Sequence, residues 1–404
     1  MKVLQINCVY NNGSTGKITY NIHTELLKYG IESVVCYGRG EKTKEPNIYK
    51  ISSEFYAHLN QIRARVTGII YGGCWLSTQK LIYIIKNEKP DIVHLQCING
   101  YFVNIYRLIE WLKKNNIKTV LTLHAEFMYT GGCGYALDCT QWSTNEGCGH
   151  SMKCPLYRSE FHSYLDRSYI MWKKMKKAFD NFNDNLIITS VSSWLMERAK
   201  KSPVMHDKKH VVIYNGVDIS VFHVYPPEIK ERKVIFHASP YFNDTIGHIK
   251  GGYYVLELAK KMPNVHFVVA GTYFVKNKVP ENVTLLGRIT DQKELARWYS
   301  KADLTLLTSK RETFSMICAE SLCCGTPVVG FKAGAPEQIA LEKYSEFVDY
   351  GNLDMLEKVV RKWLDKGEKE IIANDAKAKY SKEVMTQNYI EIYNRLIRGS
   401  KHEI

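Results

Sequence analysis

The chain has 404 residues, 45% of them hydrophobic and 24% charged, so it exceeds what one hydrophobic core usually supports and is neither disordered nor fibrous. Its apolar runs are too short to cross a bilayer as a helix, and Met1 leads straight into a strand-like segment, so the sequence predicts no signal peptide and a cytoplasmic protein. The formal net charge is +14, and residues 1–222 hold 28 basic against 18 acidic side chains, a net of +10, which points the N-terminal half at an anionic partner: nucleic acid, a phosphorylated small molecule or an anionic lipid surface.

In chain order, the Val-, Ile- and Leu-rich runs KVLQIN, ESVVCYG, DIVHLQC, KTVLTLH and NLIITSVS predict strands of one parallel sheet. After HVVIYNGVDISVF and the Pro-containing HVYPPEIKERK, read as a linker, the runs KVIFHAS, VHFVVAG, VTLLG, ADLTLLTS and TPVVGF predict a second sheet. Three parts are expected: a domain over 1–221, a domain over 222–380, and a terminal helical segment over 381–404. Residues 125–180 interrupt the βα rhythm. They hold Cys133, Cys139, Cys148 and Cys154 and end in the basic stretch YIMWKKMKKAF.

Several segments carry chemistry. NNGSTGKI follows the first strand but has Asn11 and Ile18 where a P-loop needs its first glycine and its hydroxyl. What remains is a turn of Gly13, Ser14 and Gly16 opening a helix, either an anion or hydroxyl site or an ordinary βα turn. In SKRETFSMICAESLCCGTPVVG, Glu312 precedes a helix and Glu320 lies about two turns into it. Backbone amides of Thr313, Phe314 and Ser315 at the helix start suit an anion, and the two carboxylates suit hydroxyl pairs on either side. A nucleotide sugar has that order of groups.

The four clustered cysteines, with five, eight and five residues between them, suit a structural zinc; free thiols and disulfides are the competing readings. The lysines at 173, 174, 176 and 177, beside Met171, Trp172, Met175 and Phe179, suit an anionic membrane surface or a helix packed on its own domain.

Taken with TLH at His124, NGVD at 215–218, Lys250-Gly251 and LLGRIT, the Glu-to-Glu segment and GTPVV resemble the retaining glycosyltransferases of the GT-B fold, glycosyltransferase family 4 among them. The TGGC stretch after TLH is similar to members from bacterial exopolysaccharide and capsule pathways. The resemblance implies an α/β fold of two Rossmann-like domains with parallel sheets facing a cleft, and a C-terminal helix crossing back to the first, acceptor-side domain. It implies transfer from a nucleotide diphosphate sugar to a glycan acceptor, lipid-linked and made for the cell surface, with no cofactor for catalysis and no nucleic-acid partner.

By the same resemblance, Glu312 would hold hydroxyls of the transferred sugar, Glu320 the ribose, Lys250 the diphosphate and His124 a donor hydroxyl, with backbone at Gly287 and Arg288 flanking the base. Ser239 stands where relatives carry a phosphate-binding Arg, leaving Arg288 or Arg311 to substitute, and Ala125 stands where an Asp is common, leaving Glu126 as its replacement. An epimerase or phosphorylase of the same fold is the alternative enzyme. A basic, zinc-containing nucleic-acid binder is the alternative of another class.

Overall fold

The computed structural model describes residues 1–399; the last five residues of the expected segment 381–404 lie outside the described residues. The chain forms two compact units, Met1–Tyr214 with the chain from Met385 onward, and Asn215–Val384.

The first unit holds a seven-stranded sheet: β1 (Lys2–Asn7), β2 (Glu32–Tyr37), β3 (Ile48–Lys50), β4 (Ile92–Leu95), β5 (Thr119–Leu123), β6 (Leu186–Ser190) and β7 (Lys209–Val212). Every pair is parallel, in the order β3-β2-β1-β4-β5-β6-β7. Its helices are α1 (Gly13–Lys28), α2 (Glu54–Thr67), α3 (Trp75–Glu88), α4 (Ile105–Lys114), α5 (Ser168–Phe179) and α6 (Ser193–Lys201). β4, β5 and β6 are buried along their whole length, which is why their sequences read as unbroken apolar runs.

The second unit repeats the plan with β8 (Val234–Asn243), β9 (His266–Phe274), β10 (Val283–Gly287), β11 (Leu304–Leu307), β12 (Val328–Phe331) and β13 (Ser345–Val348). All are parallel, in the order β10-β9-β8-β11-β12-β13. The helices are α7 (Gly252–Lys261), α8 (Gln292–Lys301), α9 (Met316–Cys323), α10 (Pro336–Ile339), α11 (Leu353–Trp363) and α12 (Lys369–Tyr380), followed by α13 (Lys382–Arg398). In both sheets the order reverses beside the first strand, so each unit has a switch point at the carboxyl ends of its two central strands, where open α/β sheets bind ligands.

From Met385 on, α13 belongs to the first unit. The Tyr393 hydroxyl meets His94 Nδ1 at 2.7 Å, Tyr389 meets Thr122 Oγ1 at 3.0 Å, and Lys118 donates to the Ile397 carbonyl at 2.8 Å. No helix among the described residues is long and apolar enough to cross a membrane.

Residues 125–180 contain no strand among the described residues. They are held by Glu126, which is fully buried: its Oε1 accepts from Arg198 Nε at 2.6 Å and from the Tyr129 hydroxyl at 3.0 Å, and its Oε2 from the Ala136 amide at 2.6 Å. The guanidinium of Arg198 also stacks over Trp142 and Trp194. Glu126 is therefore a structural anchor with both carboxylate oxygens engaged, not the replacement carboxylate expected beside His124.

The basic segment is α5, but Met171, Trp172, Met175 and Phe179 are all buried, and the Trp172 ring fills the space where Gly147 lacks a side chain. The apolar side of α5 packs on its own unit. Trp172 and Phe179 are thus unavailable for the membrane contact suggested by the lysine spacing, because periodicity marks an apolar stripe without saying what covers it.

Candidate functional site

In the second unit the switch point lies between β8 and β11. The loop after β8 carries Lys250 and Gly251, and the loop after β11 carries Glu312. Three contacts fasten them: Lys310 N–H donates to the Ile249 carbonyl at 2.8 Å, Thr308 Oγ1 donates to the Lys250 carbonyl at 3.0 Å, and Gly251 presses on Thr308. Gly251 has φ +66°, and a Cβ there would run into the Thr308 carbonyl oxygen, so only glycine permits this approach. The result is an ion pair, Lys250 Nζ to Glu312 Oε1, at 2.6 Å. Both side chains are largely but not wholly covered, at 20% and 12% exposure, so each remains reachable by a ligand.

Glu312 is set from behind as well. Its amide donates to the Ala333 carbonyl at 3.0 Å and its carbonyl accepts from Ala335, stitching the loop to the segment after β12. Thr313, Phe314 and Ser315 are buried in the turn that enters α9, and Ser315, at φ +78°, is the residue preceding the helix. Glu320 falls one turn into α9, nearer the start than the two turns expected, because α9 begins only at Met316.

The same unit holds an open cavity of about 300 Å³. Its floor is made by the ends of β8 and β9, and its walls by Arg288, Ile289, Leu295, Tyr299, Ile317 and Glu320. The ladder between β8 and β9 shifts register between Ala238 and Tyr241, leaving Ser239 and Pro240 as a bulge. Pro240 has no N–H to give to a ladder, and bulges of this kind re-aim side chains beside binding sites. Across from the bulge Gly271 has φ +146°, and a Cβ would run into the Ser239 carbonyl oxygen. Ser239 Oγ closes the bulge by donating to the Tyr241 carbonyl at 2.8 Å.

Of the residues expected at the donor, Arg288 and Glu320 line the cavity, Gly287 adopts φ +76° just before Arg288, and Lys250 and Glu312 form the neighbouring pair. Tyr241, Thr272 and Tyr299 line it too and were not anticipated. Their signal was Pro240 inside a strand-like run, a bulge marker. Tyr299 is buried, and its hydroxyl is pushed well above the ordinary range by burial first and then by the Glu320 carboxylate.

Other expected residues lie in the first unit. Gly13 opens α1 at φ +63°, followed by Ser14, and Gly16 packs against Val9 and the backbone of Asn11. His124 ends just past β5. It is buried, its Nε2 meets Gln96 Oε1 at 2.8 Å, and Gln96 in turn approaches Gln5 at 3.4 Å. Burial pushes the His124 imidazole down to about 4 and that of His94 down to about 3, His124 also lowering His94, so both are neutral at pH 7. The NGVD segment is spent on structure: Asp218 pairs with Lys382 at 2.7 Å and accepts from Ser220, while Val217 bridges to Ser381.

All eleven cysteines are free thiols. Cys133, Cys148 and Cys154 are buried, Cys139 is half-buried, and the Cys133 and Cys154 thiols are hydrogen-bonded. Among the described residues no group of three or more His, Cys, Asp or Glu is arranged to hold a metal ion.

Comparison with known proteins bears on both units. A Glycosyltransferase Family 4 model matches residues 15–221, and a model of glycosyl transferases group 1 matches residues 242–380. WcaC of Escherichia coli K12, named as a putative colanic acid biosynthesis glycosyl transferase, is 20% identical across 98% of this chain and 100% of its own. Among solved structures, a glycosyltransferase from Rickettsia africae superposes with a TM-score of 0.65 at 15% identity, covering 98% of each chain. Anabaena HepE in complex with UDP and glucose superposes with a TM-score of 0.63 at 13% identity, covering 98% of this chain and 99% of its own. These two likenesses show the fold, which is that of the GT-B glycosyltransferases, while the family model spans just over half of the sequence: the chain belongs to Glycosyltransferase Family 4.

Proposed function

We propose that this glycosyltransferase moves a sugar from a nucleotide diphosphate sugar to a lipid-linked glycan, with retention of configuration, in the synthesis of a bacterial surface polysaccharide. The observation that carries the reading is the Lys250–Glu312 pair at the switch point of the unit whose cavity is walled by Arg288 and Glu320. The cavity takes the base and ribose, Glu320 accepting the ribose diol. Lys250 exchanges its carboxylate partner for the diphosphate and stabilises the charge that develops as the phosphate leaves. Glu312, relieved of that partner, accepts hydroxyls of the transferred sugar. Arg288 on the cavity wall is the second cation for the diphosphate where Ser239 cannot be one.

The bond from the anomeric carbon to the phosphate oxygen breaks as the bond to the acceptor oxygen forms on the same face. The acceptor proton passes to the departing phosphate, so no separate base is needed. His124, a neutral imidazole oriented by Gln96, hydrogen-bonds a hydroxyl of the sugar, and the Gly13-Ser14-Gly16 turn adds backbone amides. WcaC and the UDP-bound HepE support the pathway and donor class respectively. A structural zinc on Cys133, Cys139, Cys148 and Cys154 is supported by number and spacing alone; about one equivalent in purified protein sustains it, and none removes it.

The test separates the two carboxylates. Glu320→Ala should weaken free UDP binding about tenfold or more, the loss expected when a charge-assisted hydrogen bond is removed. Glu312→Ala should spare free UDP and abolish turnover. Equal loss of UDP affinity in both variants overturns the assignment. Release of UDP from the donor at the same rate with and without acceptor would favour the epimerase or phosphorylase over a transferase.

A further inference from the structure

Helix α2 is built the wrong way round for a helix on a globular surface. Its buried residues are Ala57, Asn60 and Ala64, small side chains that let it lie close to the sheet. Its large apolar residues Phe55, Leu59, Ile62 and Val66, at i, i+4, i+7 and i+11, form one stripe along the outer side, with exposures of 73%, 46%, 46% and 56%. Neighbouring elements extend that face. The Leu76 amide donates to the Tyr56 hydroxyl at 3.2 Å and the Tyr164 amide to the Arg65 carbonyl at 3.0 Å, fixing the start of α3 and the 164–165 loop beside α2. Trp75, Leu76, Tyr164 and Leu165 are all exposed there. With Tyr83 on α3, this region holds nine of the twenty large apolar side chains exposed among the described residues, a concentration that marks an interaction surface.

Most of the exposed charges on α2 and α3 are positive. Arg63, Arg65, Lys80 and Lys86 are exposed on α2 and α3, whereas the acidic Glu54 and Glu88 are neutralised by Arg39 at 2.7 Å and Lys2 at 2.9 Å. Adjoining the face is an open groove of about 470 Å³ lined by Trp75, Arg107, Lys174 and Lys177, with Glu110 as its one acidic member and the Arg107 guanidinium 4.6 Å from the Trp75 ring centre. The lysines of α5 thus contribute through this groove, although the apolar side of α5 is buried.

We propose that the outer face of α2 and α3 docks on an anionic lipid bilayer, the stripe entering the boundary between headgroups and acyl chains and the Arg107–Lys174–Lys177 groove taking headgroup phosphates. Charge complementarity selects this occupant. In a symmetric dimer through this face Arg63, Arg65, Lys80 and Lys86 would meet their own copies, whereas a bilayer of anionic lipid offers apolar depth and negative charge together. The proposal deepens the reading of a lipid-linked acceptor, but its test needs no catalysis.

Full-length protein is co-sedimented with vesicles of phosphatidylglycerol and phosphatidylcholine, and with phosphatidylcholine alone. Wild type should bind the anionic vesicles and release at high salt. Leu59→Ser with Ile62→Ser should reduce binding more than tenfold, and Arg63→Gln or Arg65→Gln about fivefold each, the worth of one cation near such a surface. Tyr273→Ser with Phe274→Ser, exposed aromatics of the second unit, should leave binding unchanged. UDP binding should be equal in all of these proteins, so a failure of the donor assignment reads separately from a failure of docking. Unchanged vesicle binding by the α2 variants overturns the proposal. So does a dimer in lipid-free buffer that the same variants dissociate.

Discussion

The two units share one strand order and one kind of switch point, yet their central strands end in opposite chemistry. In the first unit the ends of β1, β4 and β5 present a neutral chain of Gln5, Gln96 and His124, with His94 bonded on to Thr122 and α13. In the second unit the corresponding ends present Lys250 against Glu312, with Arg288 and Glu320 close by. Backbone topology therefore sets where a ligand can bind, and a few side chains decide what the place does. A neutral buried network adds rigidity and hydrogen bonds; a partly exposed ion pair stores charge that a diphosphate can claim.

Two substitutions break this contrast most sharply. Glu126→Ala leaves Arg198 without the carboxylate that anchors residues 125–180, and loss of one partner of a buried pair costs about 3–5 kcal/mol. Thermal unfolding should show a large fall in Tm, with UDP affinity unchanged in the folded protein. Lys250→Ala should do the reverse. Its expected effect is about 2.7–4 kcal/mol in barrier height, hence roughly a hundredfold or more in kcat, with a smaller change in Tm. A Lys250 variant that unfolds but turns over normally would erase the distinction between the two networks.

Acid should next sharpen it. His94 and His124 have folded values pushed down to about 3 and about 4 by burial, below the ordinary 6.5. The unfolded chain therefore binds protons that the folded chain does not as pH falls through 6.5, and stability is lost on acidification towards those folded values. At pH 5 each of these histidines costs roughly 2 kcal/mol relative to pH 8. His237 in the second unit, lowered to about 4, adds the same trend there. Denaturant titrations at pH 8 and 5 measure the loss, and His124→Gln should reduce it. Since His124 is neutral at pH 7, kcat should show no inflection near 6.5 that His124→Gln abolishes.

The smallest expected effect lies at the cavity floor. Gly271→Ala forces a Cβ against the Ser239 carbonyl at a φ that L residues rarely adopt, a strain of about 1–3 kcal/mol. The bulge should move, and UDP affinity should fall several-fold more than affinity for vesicles does. Equal UDP binding in Gly271→Ala would remove the bulge from the proposed donor site.

The sequence by itself determined the ten principal strands, the two-unit plan and the segment from Glu312 to Glu320. Buried parallel strands must be apolar on both faces, and a loop that meets charged ligands must carry charge. It did not disclose β3, β7 and β13, which lie at sheet edges, have partly exposed faces and so lack an apolar run. Only the tertiary structure decided the rest: that Glu126 is consumed by Arg198, that the bulge at Ser239 and Pro240 shapes a cavity with Thr272 and Tyr299, and which way the amphipathic helices turn. The apolar stripe of α5 faces inward and that of α2 faces outward, although both have helical spacing in the sequence. Periodicity fixes which residues share a face of a helix; the surfaces left uncovered by the rest of the chain fix where that face points.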